Sequence, residues 1–219
     1  MTPLVTCVTP TYNRRGFWPR CVRCFQWQDW PNLEWVIADN GTDPIADLLP
    51  SDPRIRYYPF GGKKLTHGTL MNECFRRASG EICIVVDDDD WYAPNRVSKQ
   101  VQPMIDNPSI LTTGTGQLYY YMHGTKRAFR YRNLTNNRWI GAFAMRKSVW
   151  EARPFNDKPH GADFDLLGTI PREQWMDLKD LTLMVSAIHP GNAAPKIVPS
   201  PSFLDEPWEI IETLTRGTI

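Results

Sequence analysis

The stretch Glu81–Tyr92, EICIVVDDDDWY, constrains this chain most. Ile82 to Val86 are apolar and mostly β-branched, and Gly80 precedes them. A short apolar run of this kind reads as a strand buried in a parallel sheet. Ligands of open α/β sheets sit outside the carboxyl ends of the strands. The four aspartates Asp87–Asp90 therefore emerge where a ligand is expected. Like charges packed this closely repel. A divalent cation is the simplest way to offset them, because Mg²⁺ and Mn²⁺ prefer carboxylate oxygen and often bridge to phosphates. The bland alternative is a solvated acidic turn. The buried strand before the acids and Trp91-Tyr92 after them favour a site.

The preceding residues repeat the same layout. Leu4–Val8 reads as a first strand, followed by the polar turn Thr9-Pro10-Thr11-Tyr12-Asn13. Phe17, Cys21, Cys24 and Phe25 fall at helical spacing over 17–28. Glu34–Ala38 reads as a second strand that runs into Asp39-Asn40-Gly41, and Arg54–Tyr58 as a third. Thr66 is placed to cap a helix whose apolar face is Leu70, Met71, Cys74, Phe75 and Ala78. Strand–helix alternation predicts an α/β fold with a mainly parallel sheet and flanking helices. Further on, the pattern predicts a helix over Arg96–Ile105, strands over Gln117–Met122, Trp139–Met145 and Leu181–Ile188, and a short helix near Trp208–Leu214.

Composition narrows the partners. The 219 residues, 42% of them hydrophobic, suffice for one large domain. Net charge is +1 and names no partner, but residues 107–150 hold no acid and carry Lys126, Arg127, Arg130, Arg132, Arg138, Arg146 and Lys147. Such a segment predicts a positive field suited to an anionic partner, unless acids from elsewhere pair with it. Five cysteines and no secretory leader predict a reducing, cytoplasmic setting. The pair Cys21 and Cys24 reads as packing. No apolar run approaches the length of a membrane span. The Walker and dinucleotide glycine patterns are absent.

In order and spacing, TPTYNR after the first strand, VIADNGTD after the second and IVVDDDDWYAP after the fourth resemble the inverting GT-A glycosyltransferases of family 2. The resemblance covers residues 3–100 well and 139–192 loosely. It implies a single GT-A domain over residues 1–195, with 1–100 the nucleotide-sugar half, 101–195 the acceptor half and 196–219 a Pro-rich tail. It implies a metal-dependent inverting transferase that moves a sugar from a nucleoside-diphosphate sugar, a UDP-sugar first among them, with Mn²⁺ or Mg²⁺ as cofactor. Thr9, Pro10, Tyr12, Arg14, Asp39, Asn72, Asp87 and Asp88 would bind the nucleotide sugar. Asp89, Asp87 and His189 would hold the metal. Asp163 would be the catalytic base, with Asp165 in reserve; the glutamate usual before that acid is replaced by Ala162. Arg130, Arg132, Arg138 and Trp139 would meet the acceptor, whether a hydroxymethylated base in DNA, a glycan or a lipid-linked molecule. A metal-dependent nucleotidyltransferase and a non-catalytic nucleotide-sugar-binding module share the strand-then-acid layout and stand as alternatives.

Overall fold

The computed structural model of the protein describes residues 2–132, 143–194 and 196–219. The first half forms β1 (Val5–Thr11), α1 (Trp18–Gln26), β2 (Leu33–Asp39), β3 (Ile55–Pro59), α2 (His67–Arg77) and β4 (Ile82–Val85). The four strands run parallel in the order β3-β2-β1-β4. The second half adds β5 (Trp91–Tyr92), α3 (Arg96–Asp106), β6 (Thr112–Gly114), β7 (Gln117–Met122), β8 (Arg127–Arg132) and β9 (Ala144–Arg146). It continues with α4 (Lys147–Ala152), α5 (Ala162–Leu167), β10 (Trp175–Asp177), β11 (Met184–Ile188), β12 (Phe203–Glu206) and α6 (Trp208–Thr215). Strands β9, β6 and β10 extend the main sheet beyond β4, with β9 running against its neighbours. The strand expected over Trp139–Met145 falls partly outside the described residues.

β1 is longer than its apolar run suggested. It pairs with β2 as far as Thr11 opposite Asp39, whereas its register with β4 ends at Val8 opposite Val85. The sheet therefore splits between β1 and β4 at the carboxyl ends of both strands. This is the topological switch point at which open α/β sheets bind ligands. Pro10, which has no N–H to give a ladder, stands at the split. The Thr9 hydroxyl bridges it, donating to the Val86 carbonyl (2.6 Å) and accepting from the Trp35 indole (2.8 Å).

A second sheet, in the order β12-β8-β7-β11-β5, grows from the acidic turn itself. β5 follows the aspartates directly and pairs antiparallel with β11, which ends one residue before His189. The Pro-rich segment does more than wrap the body. It supplies β12, paired with β8, and α6, whose Ile211 is fully buried. Two apolar cores flank the main sheet. One gathers Trp18, Phe25, Trp35 and Tyr120; the other gathers Val8, Leu70, Cys74, Phe75 and Leu166. Cys21 and Cys24 are buried in the first as packing residues. Among the described residues no helix is long and apolar enough to cross a membrane.

The expected apolar face of α2 is fully buried, and the Thr66 hydroxyl caps the helix by accepting from the Thr69 N–H at 3.1 Å. Thr66→Ala is expected to cost about 1 kcal/mol, the usual worth of such a cap, read as a shift in the denaturant midpoint at unchanged m-value.

Candidate active site

A cleft of about 1060 Å³ opens at the split between β1 and β4. It is lined by the end of β1 (Pro10, Thr11, Tyr12, Arg14) and by all four aspartates. Across it stand His67 and Leu70 of α2, Asp163 and Phe164 of α5, and the turn Gly191–Ala194 that follows β11.

The aspartates divide the work. Asp90 is buried; it accepts from the Ala187 N–H and the Ser186 hydroxyl, both at 2.8 Å, and so ties the turn to β11. Asp88 is buried and accepts from the Thr11 hydroxyl, with the Arg14 guanidinium 4.0 Å away. Asp89 meets the His189 Nε2 at 2.9 Å, and Arg14 stands 4.0 Å from the same carboxylate. Asp87 has its backbone N–H bonded to the Tyr92 hydroxyl (2.7 Å), which leaves its carboxylate to face the cleft.

Electrostatics follows from this packing. Burial, then the charge of Asp89, pushes the Asp87 carboxyl up to about 6. Burial and Asp89 drive Asp88 and Asp90 well above the ordinary carboxylate range. Burial acts in the same direction on Asp89, but the His189 hydrogen bond and the nearby Arg14 charge outweigh it and hold that carboxyl low. The cluster thus carries its negative charge at Asp89 and, above about pH 6, at Asp87 as well. The Gly191 N–H donates to the His189 Nδ1 (3.1 Å), so in the neutral ring the proton sits on Nε2 and points at Asp89. Arg14 completes the group, with one terminal nitrogen 3.2–3.3 Å from the ring nitrogens of His189 and the other donating to the Gly191 carbonyl.

Asp163 reaches this cleft through a close approach of two segments. A Cβ at Gly68 would lie 1.9 Å from the Asn156 carbonyl oxygen, and the Gly68 N–H donates to the Lys158 carbonyl at 3.0 Å. Only glycine lets the 155–162 segment lie so tightly on α2. Gly161 at φ +76° then turns the chain into α5. Ala162, Leu166 and Leu167 anchor that helix in the core, and Asp163 is left on the cleft wall.

The structure places several expected contacts elsewhere. Thr9 is fully buried and serves the scaffold through Trp35 and Val86. Asp39 is also buried; its carboxylate accepts from the Gly41 N–H and the Tyr57 hydroxyl, both at 2.7 Å, and its neighbour Asn40 lines the cleft instead. Asn72 points away. Its amide holds both backbone groups of Phe155 (2.9 Å each) and the Trp150 indole (2.8 Å), fixing the segment that leads to Asp163. Asp165 pairs with Lys158 (2.5 Å) and Asn156 (2.8 Å) outside the cleft. Arg130 pairs with Glu206 at 2.8 Å, and Arg132 reaches the Pro201 carbonyl; neither lines the cleft. Arg138 and Trp139 lie outside the described residues. Sequence reasoning had not picked out His67, Asn40, Phe164 or Asn192. The first three sit on helix or turn positions with no local signal of chemistry. Asn192 belongs to the turn after His189, where it holds the His189 N–H (2.8 Å) and approaches Asp89 (3.4 Å).

A mainly parallel sheet split at its switch point, with an acidic turn facing one further carboxylate, is the architecture of the GT-A class. The chain belongs to glycosyl transferase family 2, whose family model matches residues 6–162. It is similar to WcaA of Escherichia coli (strain K12), named as a colanic acid biosynthesis glycosyl transferase, at 31% identity over 103 residues, 44% of this chain and 36% of that protein. It is also similar to the GalNAc(5)-diNAcBac-PP-undecaprenol beta-1,3-glucosyltransferase of Campylobacter jejuni, at 29% over 105 residues, 46% of this chain and 34% of that one. The chain thus spans about a third of the length of these two curated relatives. Its fold matches S. aureus TarS in complex with UDP-GlcNAc (TM-score 0.67, 15% identity, 96% of this chain and 65% of that one). It also matches a mannosyltransferase of Pyrobaculum calidifontis in complex with GDP-Man and Mn²⁺ (TM-score 0.65, 17% identity, 88% of this chain and 59% of that one).

Proposed function

We propose that this chain transfers a sugar, with inversion, from a nucleoside-diphosphate sugar to an acceptor hydroxyl. One observation carries the reading: Asp163 and Asp87–Asp89 line a single cleft of about 1060 Å³. Pro10, Tyr12 and Arg14 are available to the nucleotide end, since all three line the β1 wall. In the reaction a bond forms between the acceptor oxygen and the anomeric carbon as the bond from that carbon to the diphosphate oxygen breaks. The acceptor proton passes to the Asp163 carboxylate, and attack from the face opposite the leaving group inverts the centre.

The neighbours solved with UDP-GlcNAc and with GDP-Man and Mn²⁺ support a nucleotide-sugar donor, a UDP-sugar first, and use of Mn²⁺ or Mg²⁺. The donor set fits such an ion. Among the described residues no three His, Cys, Asp or Glu stand in metal-holding geometry, but these ions are commonly held by one or two carboxylates together with substrate phosphates. Asp89, with Asp87 and His189 beside it, supplies that number. A divalent cation bound there would neutralise the charge that builds on the leaving diphosphate. Ligation through the His189 Nε2 would require the neutral ring to carry its proton on Nδ1, in place of the hydrogen bond that Nδ1 now accepts from the Gly191 N–H.

A panel of UDP-, GDP- and dTDP-sugars with Mn²⁺ or Mg²⁺ tests the reading. Release of nucleoside diphosphate, abolished by EDTA, is the expected result. Pyrophosphate release would identify a nucleotidyltransferase instead, and donor binding without turnover in the presence of varied acceptors would identify a binding module.

A further inference from the structure

We infer that Phe164 is the platform on which the acceptor lies, and that the acceptor group it takes is a sugar ring. The inference rests on the proposed transferase reading and names its second substrate. Four large apolar side chains are exposed among the described residues, and only two of them are aromatic: Tyr12 at 55% and Phe164 at 45%. Both line the same cleft. Scattered surface apolar residues need no explanation, but Phe164 is not scattered. It follows Asp163 directly in the first turn of α5, and both residues line the cleft.

No packing role accounts for it. The core face of α5 is Ala162, Leu166 and Leu167, each at most 3% exposed. Phe164 lies two residues from Ala162 and two from Leu166, about 200° around a helix of 3.6 residues per turn. It therefore points away from the core. An aromatic face offers an apolar plane on which the C–H face of a pyranose can lie while its hydroxyls stay free for polar groups, and Asp163 is the polar group at hand.

Charge separates a sugar from a nucleic acid, whose bases would also stack. A polynucleotide needs uncompensated cations for its phosphates. The cleft that Phe164 lines instead carries more acids, Asp87–Asp90 and Asp163, than cations, Arg14, Lys64 and Lys196, and Lys158 beside it is already paired with Asp165. Across the second sheet, Arg130 is paired with Glu206 and Arg127 faces Asp205 at 3.8 Å. Lys147 lies 3.8 Å from Glu151, Arg132 and Arg146 donate to backbone carbonyls, and none of these described bases lines the cleft.

Saturation-transfer NMR and initial rates with a panel of p-nitrophenyl pyranosides test the proposal, with a single-stranded oligonucleotide carrying 5-hydroxymethyl bases as the second probe. For Phe164→Ala the expected result is a rise of about tenfold in pyranoside KM and loss of the NMR contact. Nucleoside-diphosphate affinity and melting temperature should stay at wild-type values, and Phe164→Trp should restore pyranoside binding. Equal pyranoside binding by wild type and Phe164→Ala, or none by wild type, overturns the proposal. Binding of the oligonucleotide that is lost in Phe164→Ala overturns the sugar assignment. The NMR arm needs no turnover, so failure of the transferase reading shows as absent nucleoside-diphosphate release while the platform is still read by binding.

Discussion

Replacing Asp163 by asparagine is expected to lower kcat by about 10²–10⁴-fold, the usual worth of a positioned general base. Donor affinity, measured by titration calorimetry, should stay near wild type. The side chain lies on the cleft wall and carries none of the fold's tethers, whereas Gly68, Gly161, Ala162 and Leu166 do the placing. Asparagine keeps size and polarity but cannot take the proton of an attacking hydroxyl. Asp165→Asn is the control, with an expected effect on kcat far smaller than that of Asp163→Asn. The hydrogen bonds from Lys158 and Asn156 hold the Asp165 carboxyl below the usual range, which makes it a poor proton acceptor, and they keep it out of the cleft. If Asp163→Asn turns over at the wild-type rate, the base lies elsewhere. If Asp165→Asn shows the larger loss, the two roles are exchanged.

The contrast between those acids marks what a one-dimensional reading can reach. Strand ends were legible, because a buried parallel strand is a run of β-branched residues and its carboxyl end is fixed by where the run stops. Those ends carried the family resemblance, and the resemblance put Arg14, Asp87, Asp89, Asp163 and His189 into one list, although 175 residues separate Arg14 from His189. Where a polar side chain spends its hydrogen bonds was not legible. Asp39, at the end of β2, has the position of a nucleotide contact, but Tyr57 on the adjacent strand takes one of its oxygens. Asn72 is committed to Phe155, 83 residues away. Thr9 closes the scaffold through Trp35 and Val86. In each case the partner lies in another element, and no local pattern names it. The basic stretch shows the same limit: the acids that meet Arg127 and Arg130, Asp205 and Glu206, sit in a strand that proline-rich sequence concealed.

Replacing Asp87 by asparagine is expected to stabilise the protein at neutral pH while weakening its hold on the donor. The Asp87 carboxyl, ordinarily at 3.8, is pushed up to about 6 by burial and then by Asp89. Between those values the folded protein holds the proton more tightly than the unfolded chain does. Stability therefore falls as pH rises through the window from about 4 to about 6, and the full cost remains above it. At about 1.4 kcal/mol per unit the charge at Asp87 costs on the order of 3 kcal/mol at pH 7. In a chain of this size that is roughly 5–10 °C in Tm. The variant should melt higher than wild type at pH 7–8, and the gap should close below about pH 4, where both states of the wild type are protonated. A gap that persists at pH 4 would assign the gain to something other than the carboxylate charge; no gap at pH 7 would mean that Arg96 and the surrounding dipoles already offset it. Loss of donor affinity in the same variant would explain why so unfavourable a charge is kept. On the proposed reading, four acids are crowded along one cleft, at a cost to the fold, because the cation that would relieve them binds together with the substrate.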